Sequence, residues 1–165
     1  GAPAPAPAAS TAVQAAAPAA VPGGAGQWGP TRAVADRLGI ALPAALPQTD
    51  GNGAGHARQF LGSWVFSNPE SRSIIMVVPW VDAASGRASV IWGMSAPGPR
   101  EAMSASRRRE SLDFIGRLND GTLEFGNRWT MRARIEGPSR MRMEFVPPAD
   151  DLTTPIAVGH FTRIE

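Results

Sequence analysis

The sequence predicts an all-β protein: an eight-stranded antiparallel up-and-down β-barrel, led by one short N-terminal helix and a disordered Ala/Pro-rich tail. Three observations predict it. From Phe60 onward the apolar residues recur with a period of two, the spacing that sends alternate side chains to opposite faces of a strand. The runs are separated mostly by short turn-forming stretches, which join antiparallel neighbours. Eight such strands are about the number that closes a small barrel and removes exposed sheet edges.

Residues 1–27 are Ala-Pro low complexity. Proline removes backbone donors and favours an extended chain, so this stretch is expected to be a semi-rigid linker rather than folded structure. Linkers of this kind join domains, which points to a parent protein with a further domain upstream. The first residue is Gly, as expected for a processed or excised piece. Residues 28–57 read as a short helix and a loop. Pro30 and Thr31 open a helix over about 31–38 and Gly39 stops it, with Val34, Leu38 and Ile40 near one side. "PQTDGNGAGHA", 47–57, reads as a flexible loop.

The barrel domain covers 58–165, with strands at about 60–66, 72–81, 87–94, 108–117, 121–125, 128–136, 140–146 and 156–164. Asn68-Pro69-Glu70-Ser71, Ala84-Ser85-Gly86 and Gly137-Pro138-Ser139 are turns. Asn119-Asp120-Gly121 is a strong tight-hairpin signal, because these residues tolerate positive φ. Residues 95–106 and 147–155 form longer connections. Strand one places Phe60, Gly62, Trp64 and Phe66 on one face. Strand six alternates Trp129, Met131, Ala133 and Ile135 with Arg128, Thr130, Arg132 and Arg134, and strand seven repeats the split. Such alternation sets one face in the core and one in water. Strand two is apolar on both sides, with Ile74, Met76, Val78 and Trp80 against Ile75, Val77 and Val81. Strand three carries Ile91 opposite Val90, Trp92 and Met94. That apolar outer face must be covered, by the helix, a second copy of the chain or an upstream domain.

The GxW of "LGSW", eight meandering strands and Arg163 at the end of the last strand together resemble the calycin superfamily, which includes lipocalins, fatty-acid-binding proteins and avidins. "SVIWGMS", "RRRESLDFIGRLNDGTLEFG" and "AVGHFTRIE" resemble the avidin-like or lipocalin-like accessory domains of bacterial multidomain proteins. The resemblance covers about 58–165. It implies that Trp64 closes one end of the barrel, that Gly62 leaves room, and that Arg163 packs across the Trp64 ring. A guanidinium on an indole face is worth ~1 kcal/mol or more when desolvated. The chain has no Tyr, so the ligand-binding Tyr of avidins has no counterpart.

Several chemistries find no support. Without Cys there are no disulfides or thiolate metal sites. His56 and His160 are far apart and not clustered with acids, a poor metal set, and no cofactor is implied. "GMSAP" lacks the second Gly of a nucleophile elbow, and no catalytic residue is assigned. No apolar run reaches the ~18 residues of a membrane helix. Net charge is +2, too small for the broad field of a nonspecific nucleic-acid binder. Arg128, Arg132, Arg134, Arg140 and Arg142 should share one outer face. Glu124, Glu136 and Glu144 are placed to neutralise them; failing that, the face is an anionic-ligand surface. It lacks the aromatics that stack single-stranded bases, so nucleic acid is not the expected partner.

Trp80, Trp92 and Trp129, with His160 in the wall, either line a cup for an apolar or carbohydrate-like ligand or, with Met76, Met131 and Met143, fill the interior. The expected function is therefore non-catalytic binding, of a small molecule at the barrel mouth. The alternatives are a protein-interaction or oligomerisation module attached to an upstream catalytic domain, and a hydrolase-type enzyme. The linker composition suits a periplasmic or secreted protein.

Overall fold

The structure, a computed structural model, describes residues 20–22, 26–52, 55–101 and 108–165. The linker expected over 1–27 lies mostly outside the described residues. Its described end forms strand β1 (Ala20–Pro22), which pairs with β2 (Ala45–Pro47), and a 3-10 turn at Gly26–Trp28.

Eight antiparallel strands close a barrel in simple meander order. They are β4 (Gly62–Phe66), β5 (Ile74–Asp82), β6 (Arg87–Met94), β7 (Glu110–Asn119), β8 (Thr122–Gly126), β9 (Thr130–Gly137), β10 (Arg140–Val146) and β11 (Ala157–Arg163). Each pairs with its neighbours in sequence, and β11 returns to β4 through Thr162↔Val65 and Arg163↔Trp64. The β7–β8 hairpin turns on Asp120 (φ 51) and Gly121 (φ 76), the two positive-φ positions that a two-residue loop of this hand needs.

Residues 47–57, expected to be a loop, carry more structure. β3 (Asp50–Asn52) runs parallel to β5 beside Trp80–Asp82, and Gly55–Phe60 forms a 3-10 helix. β4 pairs with β5 only as far as Val78, so the last residues of β5 offer an unpaired edge that β3 fills.

Helix α1 (Gly29–Leu38) has Pro30 in its first turn and ends on Gly39 at φ 68. The Ile40 amide reaches back to the Ala35 carbonyl at 2.8 Å, closing the helix end. Ten residues are too few for a stable isolated helix, so docking holds it. Trp28, Ala35, Ile40 and Leu46 pack on Ile75, Val77 and Ile91, the outer face of β5 and β6. A buried Thr31–Ser63 hydroxyl pair at 2.6 Å and the Trp28 Nε1 bond to the Pro47 carbonyl at 2.7 Å fix the seat. Gly93 lies beneath the chain that follows the helix; a Cβ there would meet the Ala41 carbonyl at 2.3 Å. The chain's own helix thus covers the apolar outer strands.

The barrel interior is filled. Phe60, Trp64, Met76, Val78, Val90, Trp92, Leu123, Met141, Met143 and Phe161 form one buried cluster. One expected orientation is reversed. Val77 pairs with Ile91 and Trp80 with Ser89, so Val78 and Pro79 together oppose the single residue Val90. This bulge sits at a proline, which cannot donate to the ladder. It shifts the alternation by one: Val81 points inward and Trp80 outward, opposite to the strict two-residue pattern.

Candidate functional site

The two ends of the barrel can be told apart from strand direction. β4, β6, β8 and β10 all run from one end to the other, and β5, β7, β9 and β11 run back.

At the first end Trp64 is fully buried and its Nε1 donates to the Phe60 carbonyl at 3.0 Å. The Arg163 guanidinium lies 4.1 Å above the Trp64 ring centroid. It also donates to three carbonyls: Nε to Pro138 at 2.8 Å, Nη1 to Leu61 at 2.7 Å and Nη2 to Gln59 at 2.8 Å. Burial pulls its pKa below the ordinary arginine value, against the opposing charge of Glu165. Gly62 has φ 111, and a Cβ on it would lie 2.9 Å from Arg163 Nη1. Gly62, Trp64 and Arg163 therefore pack as one structural unit.

The other end is the mouth. Trp92 is buried there among Phe125 at 5.4 Å, Phe161 at 5.8 Å and Phe145 at 6.2 Å between centroids. Phe66 stacks on Phe161 at 5.4 Å, and Phe114 tilts on Phe125 at 5.6 Å. The outer members, Phe66, Phe114, Phe145, Met94 and Leu112, are only partly buried. Gly159 makes room for them, since a Cβ would come within 3.1 Å of Phe66 and 3.3 Å of Phe145. Trp129, Ile156 and Leu152, the last 91% exposed, stand in the connections at this end. Arg72, nearly buried in the β4–β5 connection, ties down the β6–β7 connection at this end: it donates to the Ser95 carbonyl at 2.9 Å and the Arg108 carbonyl at 3.2 Å, and pairs with Glu101 at 3.6 Å.

The four ring residues singled out in the sequence do not come together. Trp92 is inside. Trp80 faces outward past the Pro79 bulge. Trp129 lies in the β8–β9 turn, ahead of the strand, and is 39% exposed. His160 is on the outer wall, beside Arg142 in register and 3.6 Å from Glu136. Phe66, Phe114 and Phe145 were missed as a group. The signal was present: in a meander every second strand ends at the same rim, and Phe66, Met94, Phe125 and Phe145 all sit near such ends.

The five arginines do share the outer face of β9, β10 and the turn before them, and most are paired. Arg132 meets Glu124 at 2.8 Å and Glu144 at 3.8 Å, Arg142 meets Glu144 at 2.8 Å, Arg140 meets Glu136 at 3.2 Å and Arg128 meets Asp150 at 3.1 Å. Arg134 reaches the Thr122 hydroxyl at 3.5 Å. The Arg142 hydrogen bond holds the Glu144 carboxyl below its ordinary range, helped by the charges of Arg142, Arg132 and Arg134. The face is thus largely self-neutralising.

Among the described residues no three His, Asp or Glu side chains gather as a metal site, and no helix is long and apolar enough to cross a membrane. His56 Nε2 lies 3.3 Å from the Gly121 carbonyl and its ring packs edge-on against Phe60. No protein-family model, curated protein or solved structure matches this chain.

Proposed function

We propose that the chain is a non-catalytic binding barrel of the calycin kind, taking a small apolar ligand at the mouth. The observation that carries this reading is the aromatic floor: Phe66, Phe114, Phe145, Met94 and Leu112 are only partly buried around the buried Trp92. Packing deeper in the barrel leaves no call for a swallowed ligand, so the ligand lies across the rim and stacks on rings. Flat apolar molecules and the apolar faces of sugars both suit such a surface. The Trp64–Arg163 stack at the far end supports the calycin kinship.

The test is titration with N-phenyl-1-naphthylamine, a dye that brightens in apolar sites. The reading expects saturable binding at one dye per chain, lost in Phe66→Ser and Phe145→Ser and kept in Trp80→Ala. Absence of saturable binding, or equal loss in Trp80→Ala, overturns it.

A second reading, docking of a protein, draws on Leu152, Ile156 and Val158, exposed at 91%, 53% and 47%. It no longer draws on Ile75, Val77 and Ile91, which lie beneath the chain's own helix. Leu152→Ser with Ile156→Ser separates the readings: it removes a protein contact and leaves dye binding at the aromatic floor.

A further inference from the structure

A row of charges crosses the outer wall of the barrel through six successive strands: Asp82, Arg87, Arg117, Glu124, Arg132 and Glu144 are each in register with the next. Every step joins opposite charges except one, Arg87 to Arg117. Like charges directly opposite one another on antiparallel strands are destabilising unless something offsets them. The acids in register with them, Asp82 and Glu124, form no ion pair with either. Asp82 Oδ1 accepts from the Ala84 amide of its own turn at 3.1 Å, and Glu124 Oε2 accepts from Arg132 Nε at 2.8 Å. Neither Arg87 nor Arg117 has a carboxylate within ion-pair distance among the described residues.

The same two arginines border a concavity of ≈ 360 Å³. Its origin is a separation of two strands. β7 and β8 pair only through Arg117↔Glu124, Leu118↔Leu123 and Asn119↔Thr122. β8 then turns away at Gly126, whose φ of 135 and contact of 2.0 Å between a notional Cβ and the Trp129 carbonyl admit only glycine. The gap is lined by Phe125, by Ile115, which is 60% exposed, by Thr130 and by Glu124, whose carboxylate is held by Arg132 at 2.8 Å. Two arginines thus border a groove walled by Phe125 and Ile115, with the Thr130 hydroxyl and the Arg132-bound Glu124 carboxylate also on it.

We propose that this groove is a binding site for a phosphomonoester on a small apolar body, with Arg87 and Arg117 holding the phosphoryl oxygens. Two adjacent guanidiniums call for a dianion, and a phosphomonoester supplies close to two negative charges and three acceptor oxygens. A carboxylate neutralises only one of the pair. The ester group lies against Ile115 and Phe125. The groove shares Phe125 with the ring cluster of the mouth, but its charged groups, Arg87 and Arg117, take no part in the dye-binding reading, so the two are tested by different variants.

The experiment follows the arginine Nε–Hε signals by NMR while the whole chain is titrated with phenyl phosphate, inorganic phosphate and benzoate in turn. Phenyl phosphate is expected to move the Arg87 and Arg117 signals saturably and to leave Arg134 in place. Contact of the phenyl ring with the apolar wall should make it tighter than inorganic phosphate by about tenfold, with benzoate weakest. Arg117→Gln should weaken phenyl phosphate by about tenfold or more while raising the melting temperature in phosphate-free buffer, because the repulsion is gone. Arg134→Gln should change neither. No saturable shift, or equal weakening by Arg117→Gln and Arg134→Gln, overturns the site and leaves only a diffuse positive field; benzoate binding as tightly as phenyl phosphate overturns the phosphomonoester assignment.

Discussion

The two ends of the barrel use aromatic side chains in opposite ways. At one end a single indole, Trp64, is fully buried, hydrogen-bonded, and roofed by a guanidinium that also gathers three backbone carbonyls. At the other, a set of rings is stacked in depth, and its outer members are only partly buried. A buried ring with every polar group satisfied contributes to stability. A partly buried ring forgoes part of that contribution and keeps a face toward solvent. At the outer rings of that end, on the proposed reading, substitution changes binding at a smaller cost in stability than at Trp64.

That contrast can be broken by mutation. Trp64→Ala is expected to cost ~3–5 kcal/mol, the range for deleting a buried aromatic, read by urea denaturation. Arg163→Ala should cost about 2 kcal/mol, since it removes three hydrogen bonds, one of them to the part-buried Leu61 carbonyl, and uncovers the ring. Arg163→Lys should recover little of this, because an ammonium lacks the planar fork that serves three acceptors at once. At the mouth, Phe66→Ser and Phe145→Ser should each cost roughly 1–2 kcal/mol, below the fully buried range, while abolishing dye binding. Equal costs at both ends would erase the distinction.

Smaller effects sharpen the picture. Hydrogen bonds from Thr154 and Thr153 hold Asp151, in the connection at the mouth, at about 2 against an ordinary 3.8. A carboxyl whose folded pKa is depressed adds stability that is present above its unfolded value and lost as pH falls through the folded one. The melting temperature should therefore drop between about pH 4 and pH 2, and Asp151→Asn should flatten that drop. Arg32 carries two guanidinium nitrogens, Nε and Nη2, that are buried without a hydrogen-bond partner among the described residues. Arg32→Met should raise stability by about 1 kcal/mol, seen as a higher melting temperature.

Much of the fold was legible because it depends on local pattern. Period-two alternation and the turn residues located all eight barrel strands, and Gly39 and Gly121 punctuate the chain where the sequence placed them. The Trp64–Arg163 contact was legible through resemblance, although its two partners lie far apart in the chain. The misplacement of Trp80 came from a bulge. A single added residue, Pro79, inverts the rest of β5, and alternation alone carries no mark of such a slip. The five arginines were recognised, yet Arg87 and Arg117 were not. Their meeting depends on the β6–β7 register, which is set across a long connection and not by a tight turn. The phenylalanines of the mouth were not legible as a group for a different reason: Phe66, Phe114 and Phe145 lie on separate strands, and only strand direction and barrel closure bring them together.

The central claim is that one end of the barrel is structural and the other binds. The most direct measurement is NMR of methyl-labelled methionine during dye titration, because Met94 stands at the mouth while Met76, beside Trp64 in register, is fully buried. The account predicts that N-phenyl-1-naphthylamine shifts the Met94 methyl saturably and leaves Met76 in place. A shift at Met76 alone, or none at Met94 on saturation, would contradict it.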